Sequence, residues 1–348
     1  MNSILLQGVG GVGGLLAGEL LNAGRNVTLV TGNPDITAAI NDNGIHLITP
    51  ECEIHVRTSA FTTVEEITTS EKFDCALLAM MAGAVVEGAR AASTKLAEDG
   101  YCVAFQNGFV EEAIGNEIGM HRVISATVAL GSSMKSPGHY RRTTAGRLII
   151  GELNGDDSSR LAELKETLNA VIDTQISTNI VGVLWGKLIW NGAVSGLCAI
   201  SGRTLGGLFE DQLGRDLFLL AFSESVDTAR AQGVDIEPVI VEPEKFYLPR
   251  TRSSTTHTAL DNRLREFSTL YASVTPSTLD SLRRGRKSEI DFLNGYIIAK
   301  AEEKSVNVPL NRLLVEMVHE IESARRTISE KNLVALADSV ASASQIDA

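Results

Sequence analysis

The stretch Ile4-Leu5-Leu6-Gln7-Gly8-Val9-Gly10-Gly11-Val12-Gly13 decides the fold of this chain. A short apolar run, typical of a buried strand, leads directly into the pattern G-x-G-x-x-G. In a dinucleotide-binding βαβ unit, the first glycine makes a tight turn, the second lets the backbone approach a pyrophosphate, and the third lets helix and strand pack closely. The following helix would hold the pyrophosphate with its free N–H groups and its dipole. The predicted cofactor-binding loop is Gly8, Val9, Gly10, Gly11, Val12 and Gly13.

Segments typical of strands and helices alternate from this loop to about residue 150, which indicates a doubly wound domain. Apolar runs at Phe73–Met80, Tyr101–Phe105 and Val123–Ala129 are typical of strands buried on both faces of a parallel sheet. From Val181 onward, long helical segments dominate, and Asp173–Ile180 is an extended connector. We therefore predict an α/β fold, in which an N-terminal Rossmann-type doubly wound sheet is followed by an all-helical C-terminal domain.

Three segments follow from this pattern. Residues 1–178 are predicted to form the dinucleotide-binding Rossmann domain, residues 179–330 the helical substrate and catalytic domain, and residues 331–348 a tail. The tail prediction depends on the loose polar character of Ser339–Ala348. The segment Thr251–Thr258, rich in Ser and Thr, is predicted to be a surface loop.

The end of the second strand bears on which dinucleotide is bound. An NAD site usually places Asp or Glu there to bind the ribose hydroxyls, whereas an NADP site usually offers Arg. Here Thr31, Gly32 and Asn33 occupy the position, and the first acidic residue is Asp35. Thr31 and Asn33 could bind either form, and the missing carboxylate removes a repulsion against the 2′-phosphate. The sequence therefore favours NADP as the cofactor, with NAD as the alternative.

Composition excludes several classes of partner. The net charge of −12 disfavours nucleic acid. No uninterrupted apolar run reaches the roughly 18 residues that a membrane span needs, and no basic region typical of a signal peptide precedes Ile4. The four cysteines and six histidines show no metal-ligand spacing, so no metal site is predicted. We expect a cytoplasmic protein that binds small molecules, and we consider a homodimer as its assembly.

A polar stripe interrupts the most apolar predicted helix, Val181–Ile200. Lys187, Asn191 and Ser195 are spaced at i, i+4 and i+8 and therefore share one helix face. A lysine on a buried helix is costly unless it is paired or has a function. One interpretation is that Lys187 faces a substrate cleft and protonates an alkoxide. The alternative is that its charged end reaches solvent and the stripe is incidental.

Three further segments carry candidate site residues. Asn107 follows the strand Tyr101–Phe105, at the carboxyl edge where such sheets bind ligands; the alternative is an ordinary Asn-Gly turn. Ser277 lies at a predicted helix start, where N–H groups and a hydroxyl could bind a carboxylate, or where it could simply cap the helix. Glu289 lies at another predicted helix start and could be only a carboxylate favoured by the helix dipole.

Taken together, these segments resemble the ketopantoate reductase (2-dehydropantoate 2-reductase) family. The matching segments are Gly8–Gly13, Gln106-Asn107-Gly108, Leu184–Leu188 with Asn191, Ser277-Thr278-Leu279 and Gly285–Gly295. The resemblance implies reduction of a 2-oxo acid to a 2-hydroxy acid with NADPH. It further implies that Lys187 is the general acid and that Asn107 positions the substrate oxygen and the nicotinamide. Asn191 and Glu289 would contact the substrate hydroxyl and the lysine, and Ser277 would bind the carboxylate.

The chain departs from the family pattern at four positions. Met81 follows the strand Phe73–Met80, where the family usually has a lysine. Val274 precedes Ser277 at a position where the family usually has an asparagine. Ser195 replaces a second asparagine of the family on the helix that carries Lys187, and Gly32 replaces the arginine that is usual after the second strand. Met81 is kept as a cofactor-binding position and Ser195 as a substrate-binding position. The loss of polar contacts predicts a substrate less polar than ketopantoate.

Two alternatives remain at this stage. Another two-domain dehydrogenase, of the opine or 3-hydroxy acid type, would need a catalytic histidine, and the sequence offers none in a suitable helical motif. A cofactor-binding sensor without turnover would need only the glycine loop. The joint presence of Lys187, Asn107 and Glu289 argues against a sensor.

Overall fold

The structure, a computed structural model, describes residues 3–249 and 254–346. The chain forms two compact units, Met1–Ile180 and Val181–Ala348. The structure thus divides the chain after Ile180, whereas the sequence placed the boundary after residue 178.

The first unit contains strands and helices in alternation. Its strands are β1 (Ile4–Gln7), β2 (Val27–Val30), β3 (Ile45–Ile48), β4 (Glu53–Val56), β5 (Ala60–Phe61), β6 (Phe73–Leu78), β7 (Leu96–Ala104), β8 (Val123–Ala129), β9 (Ser132–Ser136), β10 (His139–Arg142), β11 (Arg147–Glu152) and β12 (Thr174–Ile176). Its helices are α1 (Gly11–Asn22), α2 (Pro34–Asn43), α3 (Val85–Ser93), α4 (Glu111–Ile118) and α5 (Ser159–Leu168).

Eight strands form the main sheet in the order β12-β11-β8-β7-β6-β1-β2-β5. The pairs from β8 through β7, β6 and β1 to β2 are parallel, whereas β11 runs antiparallel to β8. The buried pattern of β1 and β6 agrees with the continuous apolar runs in the sequence. The carboxyl ends of β1, β6 and β7 therefore lie side by side. The predicted α/β class with a parallel Rossmann-type sheet is confirmed.

A second, four-stranded sheet in the order β4-β3-β10-β9 covers α1. Its apolar face contributes Leu47 and Tyr140, which lie against glycines of α1. A Cβ atom on Gly14 would lie 2.1 Å from the Tyr140 ring, so only glycine permits this packing. The Tyr140 hydroxyl donates a hydrogen bond to the Val9 carbonyl oxygen at 3.0 Å. This small sheet, which the sequence did not predict, therefore supports the glycine loop.

The described residues of the second unit contain helices and no strand, as predicted for the C-terminal domain. The helices are α6 (Ile180–Ser201), α7 (Leu205–Glu210), α8 (Gln212–Ala231), α9 (Ser254–Leu270), α10 (Ser277–Arg283), α11 (Asn294–Glu303), α12 (Pro309–Glu322) and α13 (Lys331–Ile346). Helix α6 begins on the last residue of the first unit and runs through the core of the second.

Two predictions for this unit are wrong. Helix α9 begins at Ser254, so the predicted surface loop is helical in its described part, and residues 251–253 lie outside the described residues. The predicted tail at residues 331–348 is helix α13 as far as Ile346. Leu333 and Leu336 on α13 are buried, and their apolar burial outweighs the polar composition of the segment.

Among the helices that the structure describes, α6 alone has the length and apolar composition of a membrane span, with a mean hydropathy of 1.3. Its most apolar window is 89% buried inside the protein, as in a core helix. Small residues on α6 admit neighbouring helices. A Cβ atom on Gly192 would lie 2.9 Å from Ile297 of α11, and one on Gly196 would lie 3.4 Å from Leu314 of α12.

Candidate active site

The glycine loop combines a tight turn with an open face. Gly8 has φ +86°, and a Cβ atom there would lie 2.5 Å from the Met80 backbone nitrogen. A Cβ atom on Gly13 would lie 1.8 Å from the Gly8 carbonyl oxygen. At Gly10, by contrast, no atom lies within 4 Å of such a Cβ. The loop is packed against the sheet at Gly8 and Gly13 and leaves space at Gly10.

Helix α1 begins at Gly11, directly after this open position. The first N–H groups of a helix have no intrahelical partner, and Gly10 at the N-cap has no side chain to cap them. The first turn also carries no carboxylate that would repel an anion. The loop therefore has the open space and the free N–H donors that the pyrophosphate of a dinucleotide would need.

The side chains after β2 are held in local caps. The Asn33 side-chain oxygen accepts hydrogen bonds from the N–H groups of Asp35 and Ile36, at 2.9 and 3.2 Å. The Thr31 hydroxyl donates to the Asn33 carbonyl oxygen at 2.8 Å and accepts from the Asn33 N–H at 3.0 Å. These caps start helix α2. Asn33 is therefore a capping residue, while Thr31 also lines a cavity beside the glycine loop.

A cavity of about 240 Å³ lies in the first unit beside the glycine loop. Its lining residues are Gln7, Gly8, Val30, Thr31, Gly32, Thr62, Thr63, Val64, Glu65, Met80, Ala84, Glu87, Gly88 and Ala91. The charged side chains among these lining residues, all of which the structure describes, are Glu65 and Glu87. Hydrogen bonds from its own backbone N–H and from the Thr63 hydroxyl lower the pKa of Glu65. The cavity therefore carries negative charge that does not come from β2.

Glu87 shares the guanidinium group of Arg90 with a second carboxylate. Arg90 Nη1 lies 2.5 Å from Glu87, and Arg90 Nε lies 2.5 Å from Glu117. The hydrogen bonds that Arg90 donates to Glu117 and Glu87 raise the pKa of Arg90. Arg90 itself does not line the cavity, but its partner Glu87 does, so the charge of Glu87 is partly balanced and that of Glu65 is not balanced by Arg90.

Asn107 follows β7 at the carboxyl edge of the sheet, where it is half-buried and precedes Gly108 with φ +92°. Its neighbour Gln106 is buried and donates from Nε2 to the carbonyl oxygens of Leu78, at 2.8 Å, and Met80, at 3.0 Å. Gln106 thereby joins the segments that follow β6 and β7. Met81, in the first of these segments, is 48% exposed, so its apolar side chain is presented to solvent.

In the second unit, the polar stripe on α6 lies along one strip of a buried helix. Lys187 and Asn191 are half-buried, and every other residue from Gly182 to Ile200 is buried. Ser195 is only 5% exposed and continues the stripe into the core. A Cβ atom on Gly186 would lie 2.0 Å from the Glu237 carbonyl oxygen, so the loop after α8 crosses α6 beside Lys187.

The segment that carries Glu289 precedes the helix packed on α6. Glu289 is 6% exposed and comes before a 3-10 turn at Ile290–Phe292, where the sequence had predicted the start of a helix. Helix α11 then begins at Asn294, whose side chain donates to the Gly192 carbonyl oxygen at 2.9 Å. Glu289 is thus a buried carboxyl of the unit that contains Lys187.

Helix α10 begins at Ser277, with Pro276 at the N-cap. Ser277 is exposed, as a residue that contacts a substrate would be in the free protein. Thr278 beside it is 1% exposed, and its hydroxyl has no hydrogen-bond partner among the described residues. Val274, just before this helix, is 42% exposed.

Two family models match the chain over most of its length. The model described as ketopantoate reductase PanE/ApbA matches residues 4–155, and the model of its C-terminal part matches residues 179–322. The chain belongs to the ketopantoate reductase family. It is therefore an NAD(P)H-dependent oxidoreductase that acts on a CH–OH group and reduces a 2-oxo acid.

Curated relatives of this family match nearly the whole chain. The 2-dehydropantoate 2-reductase of Pyrococcus horikoshii is 28% identical over 321 residues, which cover 92% of this chain and 97% of the relative. That of Pyrococcus abyssi is 25% identical over 315 residues, covering 89% and 95%. An oxidoreductase of Bacillus subtilis named as uncharacterized is 24% identical over 312 residues, covering 88% and 94%.

Solved structures show the same architecture. The ketopantoate reductase of Ralstonia eutropha superposes with a TM-score of 0.78 at 27% identity, covering 92% of this chain and 99% of the other. A D-mandelate dehydrogenase with NADH and anilino(oxo)acetate gives a TM-score of 0.79 at 18% identity, covering 92% and 98%. At that identity the second likeness concerns the fold alone.

Several polar groups of this ketopantoate reductase family member escaped the sequence analysis. Glu65 and Glu87 come from a 3-10 turn and from α3, far in sequence from the glycine loop, so no motif joins them. The hydroxyls of Ser132 and Ser133, on β9 beside Gly11, are buried without a hydrogen-bond partner in the described part of the chain. Among the polar residues of this site that were not predicted, only Gln106 could have been found from the sequence, because it precedes Asn107 in the family motif.

Proposed function

We propose that the chain reduces a 2-oxo acid whose side chain is less polar than that of ketopantoate. The observation that carries this proposal is the exposure of Met81 and Val274, 48% and 42%, at positions where the family resemblance implies lysine and asparagine. An exposed apolar side chain offers a substrate no hydrogen bond. A polar substrate would lose contacts at both positions, whereas a branched or aromatic 2-oxo acid would gain apolar ones.

Lys187 is the proposed general acid. When bound, the reduced nicotinamide supplies the hydride, and the substrate oxygen then needs a proton as its negative charge develops. Lys187 carries an ammonium group at a half-buried position of an otherwise buried helix, where a positioned proton donor is kept from bulk solvent. Asn191, one helical turn later, would hold the substrate hydroxyl, and Glu289 would orient the lysine.

The substrate carboxylate is proposed to bind at the start of α10. The Ser277 hydroxyl and the first N–H groups of this helix are donors, and Pro276 at the N-cap leaves them without a capping side chain. Ser195 would lie at the inner end of the substrate site. In the first unit, Asn107 would position the nicotinamide at the carboxyl edge of the sheet.

The glycine loop and Thr31 would hold the rest of the cofactor, and Met81 would contact the cofactor as well as the substrate. The expectation of NADP depended on the missing carboxylate after β2, and the cavity beside the loop supplies carboxylates from Glu65 and Glu87 instead. Carboxylates repel a 2′-phosphate and bind ribose hydroxyls. We therefore propose that NADH binds at least as tightly as NADPH.

The decisive experiment is a substrate panel with both cofactors. Oxidation of NADH and NADPH would be followed on mixing with ketopantoate and with branched and aromatic 2-oxo acids. The proposal requires that one of the less polar acids has a kcat/KM at least equal to that of ketopantoate. Efficient turnover of ketopantoate alone would contradict it, and cofactor binding without turnover of any acid would favour a sensor.

The partners of the chain are proposed to be small molecules in the cytoplasm, in line with its net charge of −12. Assembly as a homodimer stays a prediction. Light scattering during size-exclusion chromatography would give the mass, to be compared with 37.2 kDa for one chain.

A further inference from the structure

Three histidines lie side by side on the small sheet of the first unit. His46 on β3 pairs directly with His55 on β4 and with His139 on β10. Directly paired residues project to the same face of a sheet, so the backbone register alone places the three imidazoles in one row. Glu53 lies two residues before His55 on β4 and shares this face. The opposite face packs on α1, so the row is on the outer face.

The side chains of this row converge on one carboxylate oxygen. Glu53 Oε1 lies 2.5 Å from His46 Nε2 and 3.3 Å from His55 Nε2. The rings of His46 and His55 are stacked, with centroids 4.0 Å apart. His46, Glu53 and His55 each offer one ligand atom, and these three atoms all lie within 4.8 Å of one another. Glu53 and His55 are 59% and 66% exposed, so a solvated ion has access.

We propose that His46, Glu53 and His55 form a binding site for a divalent transition metal ion of the zinc class. Imidazole nitrogen and carboxylate oxygen are ligands that Zn²⁺ accepts, at about 2.0–2.2 Å, with a water in the fourth position. Two ligands of one such ion lie at most about 4.2 Å apart. The ligand atoms lie within 4.8 Å of one another in the structure. Rotation of the exposed Glu53 and His55 side chains can bring them to the shorter distance without moving the buried face of the sheet.

His139 acts as a positioning residue for this site. His46 Nδ1 lies 3.0 Å from His139 Nδ1. When His46 binds a metal ion through Nε2, its remaining proton is on Nδ1, where it donates to a neighbouring acceptor. His139 Nδ1 would be that acceptor when the proton of the His139 ring is on Nε2. The His46 ring is therefore held with Nε2 directed towards Glu53 and His55.

A metal ion at this position would join β3 to β4. Binding to the folded protein alone stabilises it by mass action, so Zn²⁺ is expected to raise the Tm. This effect does not depend on catalysis, because the row of histidines and the cavity of the cofactor have no lining residue in common.

The test is equilibrium dialysis of the full chain, without a histidine tag, against Zn²⁺, with Tm measured in parallel. We expect one ion per chain for the wild type, and loss of that ion in His46→Ala and in His55→Ala. His121→Ala is the matched control, because His121 is an exposed histidine of the same unit outside the row. Cys52→Ser is the second control, since the exposed thiol of Cys52 lies next to Glu53.

His139 is tested by rescue. His139→Ala should weaken Zn²⁺ binding about tenfold, the lower end of the effect of removing such a partner. His139→Gln, which keeps an acceptor oxygen, should restore most of the affinity. Zinc binding that survives in His46→Ala and His55→Ala, or that disappears in Cys52→Ser, would overturn the proposal. So would a wild-type protein that binds Zn²⁺ no more tightly than His46→Ala does, while all variants keep the wild-type circular dichroism spectrum.

Discussion

A Cβ atom on Gly13 would lie 1.8 Å from the carbonyl oxygen of Gly8, so the two ends of the glycine loop are in direct backbone contact. Gly13→Ala should therefore destabilise the protein by about 3 kcal/mol, the upper range for overpacking. Gly10→Ala is the matched variant, because no atom lies within 4 Å of a Cβ at that position. It should keep the wild-type Tm and lose cofactor affinity. Thermal unfolding and fluorescence titration with NADH separate the two effects; equal destabilisation by both variants would contradict the packing argument.

Lys187→Ala should lower kcat by about 10²–10⁴-fold, the contribution of a positioned proton donor. Cofactor affinity should change little, since the glycine loop belongs to the first unit. Lys304→Ala, which removes an exposed lysine after α11, is the control for charge and should keep wild-type kcat. Steady-state kinetics beside a cofactor titration give both quantities. If the Lys187→Ala enzyme keeps more than about a tenth of wild-type kcat, Lys187 is not the general acid. The alternative, that its charged end only reaches solvent, would then hold.

Glu65→Gln and Glu87→Gln should each tighten NADPH binding relative to NADH. A carboxylate about 4 Å from a phosphate charge costs about 1 kcal/mol in a water-like medium, or about fivefold in Kd. Glu71→Gln, which removes an exposed charge outside the cavity, is the matched control. The ratio of the two dissociation constants is measured for all four proteins. An unchanged ratio in both cavity variants would show that these carboxylates do not select the cofactor.

Val274→Asn should raise kcat/KM for ketopantoate relative to an aromatic 2-oxo acid, by about tenfold if the new amide bonds the substrate hydroxyl. Leu270→Asn is the control, because Leu270 is also apolar and is 73% exposed. The same preference in both variants would mean that position 274 does not contact the substrate.

Glu111 makes the stability of the protein depend on pH. Its side chain is 2% exposed, and desolvation raises its pKa, against the opposing hydrogen bond from Ser125. The folded state thus binds the proton more tightly than the unfolded state does, so the stabilisation is present at low pH and is lost as the pH rises through the folded pKa. Glu111→Gln does not titrate. Its Tm relative to wild type should rise as the pH increases above the ordinary glutamate pKa of about 4.3, and a constant difference would refute the argument.

Local patterns in the sequence were sufficient for the parallel sheet. The strand predicted at Val123–Ala129 has the observed bounds, because a strand buried on both faces is a continuous apolar run between polar turns. Helices α9 and α13 were missed because their polar residues concealed buried positions such as Leu264 and Leu336. Their burial depends on neighbours distant in sequence, which no local pattern contains.

The residues of the candidate site likewise divide into those that local patterns predict and those that they do not. The glycine loop and the α6 stripe follow rules of spacing, so they could be predicted from residue order. The acids of the cavity come from two separate elements, and the row of histidines depends on strand pairing between residues as far apart as His46 and His139. Such groups can be recognised only when the register of the strands is known, and for that reason the spacing of the histidines along the sequence predicted no metal site.

Helix α13 has a consequence for how the protein is made. Asn332 at its start donates hydrogen bonds to the carbonyl oxygens of Ile200 and Thr327, at 2.8 and 2.9 Å, so the end of α6 is completed by residues synthesised much later. All strands of the first unit precede Ile180, and domains fold as units during synthesis. The first unit can therefore fold on the ribosome early, whereas the carboxyl end of α6 waits for its hydrogen-bond partners until the start of α13 has emerged.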